Sequence, residues 1–229
     1  MSEKSVKLIE NFQSYQGEGP DMGRAMIILR FKTCNLKCPW CDTNVKMRIS
    51  AEAPHKLSDI QKVINETRSG ILITGGEPTV PKHYDDCLKL LNDLDYPIAN
   101  VESNGFNLEQ LVKETKNIRG EIRYMYSPKI FTRDDYKEAI QKTEVFLKYY
   151  KVHIKLVYEE TGLIEDYCKY LNERITEEGN PHHLTRKVWL MPEGTTRADL
   201  IRNSAKVFDA CERYRFNFSS RSHIIYGFV

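Results

Sequence analysis

MIILRFKTCNLKCPWCDT, residues 26–43, runs from an apolar stretch straight into three cysteines spaced over eight residues. Met26–Lys32 reads as a buried strand, because large and β-branched apolar side chains fill it without helical spacing. Cys34, Cys38 and Cys41 follow at its end as C-x3-C-x2-C, within reach of one small inorganic centre. A structural zinc takes four protein ligands, so it would be one short here unless His55 or Asp42 completed the set. An iron–sulfur cluster is also held by thiolates, usually four. With three, one iron keeps a position for an exogenous ligand, which a catalytic cluster uses and a structural one does not. The spacing alone leaves both readings open.

Outward from this stretch, strand-like and helical patterns alternate. Gly70–Thr74, Ile98–Glu102, Glu121–Ser127, Val152–Tyr158 and Lys187–Met191 read as further strands. Helical patterns fall near 58–64, 84–94, 107–116, 134–142, 161–177 and 196–211, with Ser58 as N-cap, Gln61 in the capping-box position and Thr196 as a second N-cap. Strands separated by helices predict a parallel sheet with right-handed crossovers. Six such units are too few for a closed eight-fold barrel and fit an α/β fold built as an open, partial (β/α)6 TIM-like barrel, one domain over residues 1–229. In such folds the chemistry sits at the C-terminal strand ends. TCNLKCPWCDT, TGGEPT, ESNG, SPK and MPEG all fall there.

Bulk properties narrow the partners. With Lys+Arg 34 against Asp+Glu 32 the net charge is +2, which gives no electrostatic case for nucleic acid or an anionic membrane. The basic groups Lys46–Arg48 and Arg213–Arg215 read as solvated faces. No stretch approaches the ~20 apolar residues of a membrane span. The charged start MSEKSVKLIE has no apolar signal core, which predicts a cytoplasmic chain. Six cysteines in that setting argue against a disulfide framework. Cys87, Cys168 and Cys211 read as small buried hydrophobes. His182 and His183 sit in a polar loop and read as exposed.

C-x3-C-x2-C followed, ~35 residues on, by Gly75-Gly76-Glu77-Pro78 at the next strand end resembles the radical S-adenosylmethionine (SAM) superfamily. That resemblance implies a [4Fe–4S] cluster on Cys34, Cys38 and Cys41, whose open iron binds the amino and carboxylate groups of SAM. Reductive C–S cleavage then gives a 5′-deoxyadenosyl radical, so no side chain is singled out as catalytic. Trp40, Cys41 and Asp42 map to the cofactor side of the loop. Glycines admit a close backbone approach, and Glu77 suits a clamp on the methionine ammonium. Gly105, Ser127, Pro128 and Lys129 map to further SAM contacts.

The wider ordered set is Gln16-Gly17-Glu18-Gly19-Pro20, Arg30, Cys41-Asp42-Thr43, Glu102-Ser103-Asn104-Gly105, Ser127-Pro128-Lys129, Met191-Pro192-Glu193-Gly194 and Arg221-Ser222-His223. It resembles the 7-carboxy-7-deazaguanine synthase family, patchily over 131–186. The resemblance implies a pterin substrate, 6-carboxy-5,6,7,8-tetrahydropterin, contracted to a deazapurine with loss of ammonia. It also implies Mg²⁺ on Thr43, a flavodoxin- or ferredoxin-type electron donor, and a homodimer. Substrate contacts then fall to Tyr15, Gln16, Gly17, Glu18, Arg30, Ser103 and His223. Gln16 offers donor and acceptor together, Glu18 accepts from N–H groups, and Arg30 suits a carboxylate fork. Ser103 stands where the family has Thr, and Tyr15 where it has an aliphatic residue. A glycyl-radical activase shares the cysteine and GGEP elements, and a zinc-binding interaction module is the reading outside enzymes.

Overall fold

A computed structural model describes residues 3–39, 41, 43, 49–177 and 186–228. The chain divides into two compact units, Met1–Gln16 with Gly23–Met125, and Gly17–Met22 with Tyr126–Val229.

In the first unit, β1 (Ser5–Leu8) pairs antiparallel with β4 (Ala53–Lys56). β2 (Glu10–Tyr15) runs antiparallel to β3 (Ala25–Phe31), which is parallel to β5 (Gly70–Gly75), itself parallel to β6 (Ile98–Ser103). β7 (Glu121–Tyr126) lies beside β6. Helices α1 (Leu57–Thr67), α2 (Pro81–Asp93) and α3 (Leu108–Glu114) make the crossovers. β3 is buried on both faces, as a central parallel strand is. Cross-strand partners share a face, so Phe12, Ile28, Leu72 and Asn100 form one row and Glu10, Arg30 and Thr74 another. Met26, Ile28, Leu72 and Ile98 pack as a buried cluster with Phe12 against them. Gly70 makes that possible: a Cβ there would lie 2.6 Å from Met26 Sδ and 2.7 Å from Ile98 Cγ2.

The second unit contains β8 (Val152–Tyr158) parallel to β9 (Val188–Pro192), with the two-residue β10 (Asn217–Phe218) parallel on the far side of β9. Helices α4 (Arg133–Phe146), α5 (Gly162–Glu177), α6 (Arg197–Tyr214) and α7 (Ser222–Tyr226) accompany them. Thr132 and Asp135 form a reciprocal capping box at α4, and Thr196 caps α6 by accepting from the Asp199 amide, as read from the sequence. The expected strand–helix alternation is present throughout, on β3, β5, β6 and β7 in the first unit and β8 and β9 in the second. No helix among the described residues is long and apolar enough to cross a membrane.

Two local expectations change. Ser58 does not cap α1, because β4 runs directly into the helix and Lys56 is the N-cap; Leu57 N–H is satisfied by Lys4 O at 3.0 Å. Ser58 Oγ instead donates to Glu3 Oε1 at 3.3 Å, and Gln61 brackets the Asp95 backbone, accepting from its amide at 2.7 Å and donating to its carbonyl at 3.0 Å. β1, β2 and β4 were not anticipated, since each is short and carries charged or polar residues at half or more of its positions.

Candidate active site

The cysteine loop leaves the C-terminal end of β3 and is held there by backbone. Gly76 N–H donates to Phe31 O at 3.0 Å and Glu77 N–H to Thr33 O at 2.8 Å. The GGEP turn is therefore sewn onto the β3 exit. A Cβ on Gly75, whose φ is +124°, would meet Phe31 O at 2.2 Å, and one on Gly76 would meet Thr33 O at 2.2 Å. These glycines admit the neighbouring strand end, not only a ligand. From α2, buried His83 stacks on Phe31 at 4.8 Å and its Nε2 accepts the Thr33 amide at 2.9 Å, one residue before Cys34. Burial pushes the His83 pKa down, consistent with a neutral imidazole whose Nε2 acts as acceptor.

Cys34, Cys38 and Cys41 are half-buried and take part in no disulfide. Leu36 N–H and Asn104 Nδ2 approach Cys34 Sγ at 3.4 and 3.8 Å, and Thr43 Oγ1 lies 3.4 Å from Cys41 Sγ. Donors aimed at sulfur and partial exposure suit thiolate ligands, so the donor set fits an iron–sulfur cluster. Among the described residues no three His, Cys, Asp or Glu side chains already converge as a metal site. His55 sits in β4 opposite Val6. Trp40, Asp42, Lys46–Arg48, His182 and His183 lie outside the described residues.

Glu77, the residue expected at the methionine ammonium, receives four donors from the protein itself. It is 1% exposed, and its Oε1 accepts from Thr79 N–H (3.1 Å), Thr79 Oγ1 (2.6 Å) and Ser103 Oγ (2.8 Å), while Oε2 accepts from Asn104 N–H (2.6 Å). A carboxylate offers about four acceptor positions, and four donors occupy them. Burial raises its pKa, against the pull of those bonds. The side chain ties the β5 and β6 ends together. Ser103 is drawn into the same knot, since its Oγ also accepts Gly105 N–H at 2.9 Å, with Gly105 at φ +91°.

Of the expected substrate residues in this unit, Arg30 is buried and its Nε donates to Glu10 Oε2 at 2.5 Å, an internal ion pair between directly opposed residues. Gln16 is 3% exposed and its Nε2 donates to Asn100 Oδ1 at 3.0 Å. Asn100, a polar residue facing inward from β6, was not singled out from the sequence. Gln16 follows β2 at the N-terminal end of β3, opposite the end from which the cysteine loop leaves. Tyr15 is 53% exposed and stands outside this buried group.

The second unit gathers the rest of the QGEGP segment with the C-terminal residues. Ser222 N–H and Oγ both donate to Gly17 O at 3.0 Å, and Gly19 N–H donates to Ser219 Oγ at 2.8 Å. A Cβ on Gly17 would lie 2.1 Å from His223 Nδ1, so glycine is what lets that imidazole approach. Glu18 faces Lys155 and Arg221, with His223 Nε2 at 4.0 Å. Burial alone raises the Glu18 carboxyl, but Lys155, then Arg221 and His223, outweigh it and hold it well below the usual carboxylate range. Lys155 reads in VHIKLVY as part of a plain alternation; the available signal is a lysine in the middle of a strand whose neighbours on both sides, Ile154 and Leu156, are apolar. Lys129 Nζ donates to Ser127 Oγ at 2.6 Å across Pro128.

A family model described as the radical SAM superfamily matches residues 28–175, more than half the chain. A protein named 7-carboxy-7-deazaguanine synthase from Hyperthermus butylicus is 24% identical over 96% of this chain and 92% of its own. One of the same name from Haemophilus influenzae is 33% identical over 59% of each. The crystal structure of QueE from Escherichia coli superposes with a TM-score of 0.58 at 19% identity, covering 96% of this chain and 95% of that one, which shows a shared fold.

Proposed function

The chain belongs to the radical SAM superfamily, and on that premise we propose that it converts 6-carboxy-5,6,7,8-tetrahydropterin to 7-carboxy-7-deazaguanine with release of one ammonia. A [4Fe–4S] cluster and SAM supply the radical chemistry of this family. Cys34, Cys38 and Cys41 are the proposed cluster ligands. Gly75, Gly76, Glu77, Gly105, Ser127, Pro128 and Lys129, with Trp40, Cys41 and Asp42, are the proposed SAM contacts. In the first unit Tyr15, Gln16, Arg30 and Ser103 serve substrate; in the second, Gly17, Glu18 and His223 do. Mg²⁺ is assigned to Thr43, whose hydroxyl is a hard oxygen of the kind that ion takes when substrate and water supply the other ligands. A flavodoxin- or ferredoxin-type donor, a homodimer and a cytoplasmic setting complete the reading.

The observation that carries it is the fate of QGEGP. An exposed turn would leave its polar groups in water, yet Gln16 is 3% exposed and the Glu18 side chain 14%. Buried polar groups of mixed donor and acceptor character suit a heterocycle edge presenting both.

The test is direct. The chain, purified without oxygen and reconstituted with iron and sulfide, is incubated with reductant, SAM, Mg²⁺ and 6-carboxytetrahydropterin, and products are read by mass spectrometry. 7-Carboxy-7-deazaguanine forms, and Cys38→Ala abolishes it. If 5′-deoxyadenosine appears without the deazaguanine, the superfamily stands and the substrate assignment falls.

A further inference from the structure

The group around Glu18 carries more charge than a structural ion pair needs. One carboxylate is faced by two permanent cations and an imidazole: Lys155 Nζ at 2.5 Å from Oε2, Arg221 Nε at 3.2 Å from Oε1, and His223. Lys155 comes from the middle of β8, opposite Trp189 on β9, and its side chain is 4% exposed. Arg221 is 8% exposed and is itself anchored, donating through Nη1 to Gly194 O at 2.6 Å. Burying a lysine is costly unless it is paired, and hydrophobic residues of similar volume commonly serve stability as well. A buried cation at this position therefore calls for a reason beyond packing.

We propose that Lys155 is a positioning residue for substrate recognition: with Arg221 it fixes the Glu18 carboxylate in place as an acceptor for a ligand that presents adjacent N–H donors, such as the 2-aminopyrimidinone edge of a pterin. The inference rests on the proposed pterin substrate and adds a residue that the sequence reading did not single out. A carboxylate accepts up to about four hydrogen bonds, so pairing with both cations is compatible with accepting from a ligand. An ionised carboxylate is an acceptor only; a protonated one turns one oxygen into a donor and mismatches that edge. Lys155 and Arg221 oppose that protonation. His223, on the same side, gains charge toward acid and acts in the same direction.

The experiment compares wild type with Lys155→Met, Lys155→Gln and Lys155→Arg, measuring equilibrium binding of 6-carboxytetrahydropterin and, in the reconstituted enzyme, KM and kcat between pH 6 and 8. Lys155→Met weakens pterin binding about tenfold at pH 7, the loss expected when a charge-assisted contact worth about 1.4 kcal/mol is removed. The deficit falls on KM more than on kcat and widens as pH falls, because without Lys155 the effect of burial on Glu18 is opposed by Arg221 and His223 alone. Lys155→Arg restores binding. Should Lys155→Met not fold, Lys155→Gln, which keeps a donor to Glu18 without the charge, shows the same widening deficit. Binding by Lys155→Gln that matches wild type at every pH overturns the proposal, as does a loss that is uniform with pH. A wild-type chain that binds no pterin overturns both this inference and the function it rests on; wild-type turnover with an indifferent Lys155 overturns the inference alone.

Discussion

Replacing Glu77 with Gln distinguishes a tie between strand ends from a clamp on the cofactor. The carboxylate receives four donors, three on Oε1 and one on Oε2. Glutamine keeps one oxygen. In its better orientation that oxygen retains the Thr79 and Ser103 bonds, and the new amide group is turned against Asn104 N–H. Two buried donors then face each other, at about 1–3 kcal/mol for the unsatisfied group. The three retained bonds also weaken from charge-assisted to neutral, while relief of a buried charge works the other way. A net loss of about 2 kcal/mol follows, and in a chain of this size each kcal/mol moves Tm by about 2–4 °C, so the shift is about 4–8 °C downward. Thermal unfolding of the anaerobic protein without SAM reads it. A Glu77→Gln protein that unfolds at the wild-type temperature and loses only SAM affinity would refute the reasoning, because the carboxylate would then be acting on the ligand.

Gly76→Ala places a Cβ 2.2 Å from Thr33 O, a backbone atom that cannot swing aside; it displaces the cysteine loop, and iron bound after reconstitution falls to less than about half of wild type. His83→Phe removes the acceptor of the Thr33 amide at constant stacking, lowers stability by about 1–3 kcal/mol and slows cluster loading, with His83→Gln recovering part of both. For pH, Glu18 has its folded carboxyl held below the unfolded value, so the stability it contributes is complete above the ordinary Glu range near 4.3 and is lost as pH falls beneath it. Acid titration of unfolding free energy shows a steeper decline for wild type than for Glu18→Gln below about pH 4.

The fold was legible where period and composition agreed. β3, β5, β6, β8 and β9 are mostly apolar and largely buried, and Thr196 announces α6 by its own hydroxyl. β1, β2 and β4 escaped because Ser5–Leu8, Glu10–Tyr15 and Ala53–Lys56 are short and mixed, and only pairing to a partner far along the chain makes them strands. Ser58 misled because a cap is chosen by the incoming backbone, and here β4 supplies it. At the site, residue identity was readable and allegiance was not. Glu77, Ser103 and Arg30 stand out as chemically apt, yet the sequence does not say that Thr79 and Asn104 bond Glu77, that Ser103 bonds Glu77 and Gly105, or that Glu10 pairs with Arg30. Asn100 and Lys155 carry little signal in the sequence, because a polar residue within a mostly apolar strand acquires meaning only when Gln16 or Glu18 is seen against it.

The central claim is ring contraction with loss of one nitrogen, and the most direct measurement counts that nitrogen. In one anaerobic reaction of the reconstituted chain with SAM, Mg²⁺ and 6-carboxytetrahydropterin, ammonia released is measured against 7-carboxy-7-deazaguanine formed. The account predicts equal amounts of the two, rising together with time and both absent in Cys38→Ala. Steady formation of 5′-deoxyadenosine with neither ammonia nor deazaguanine would contradict it.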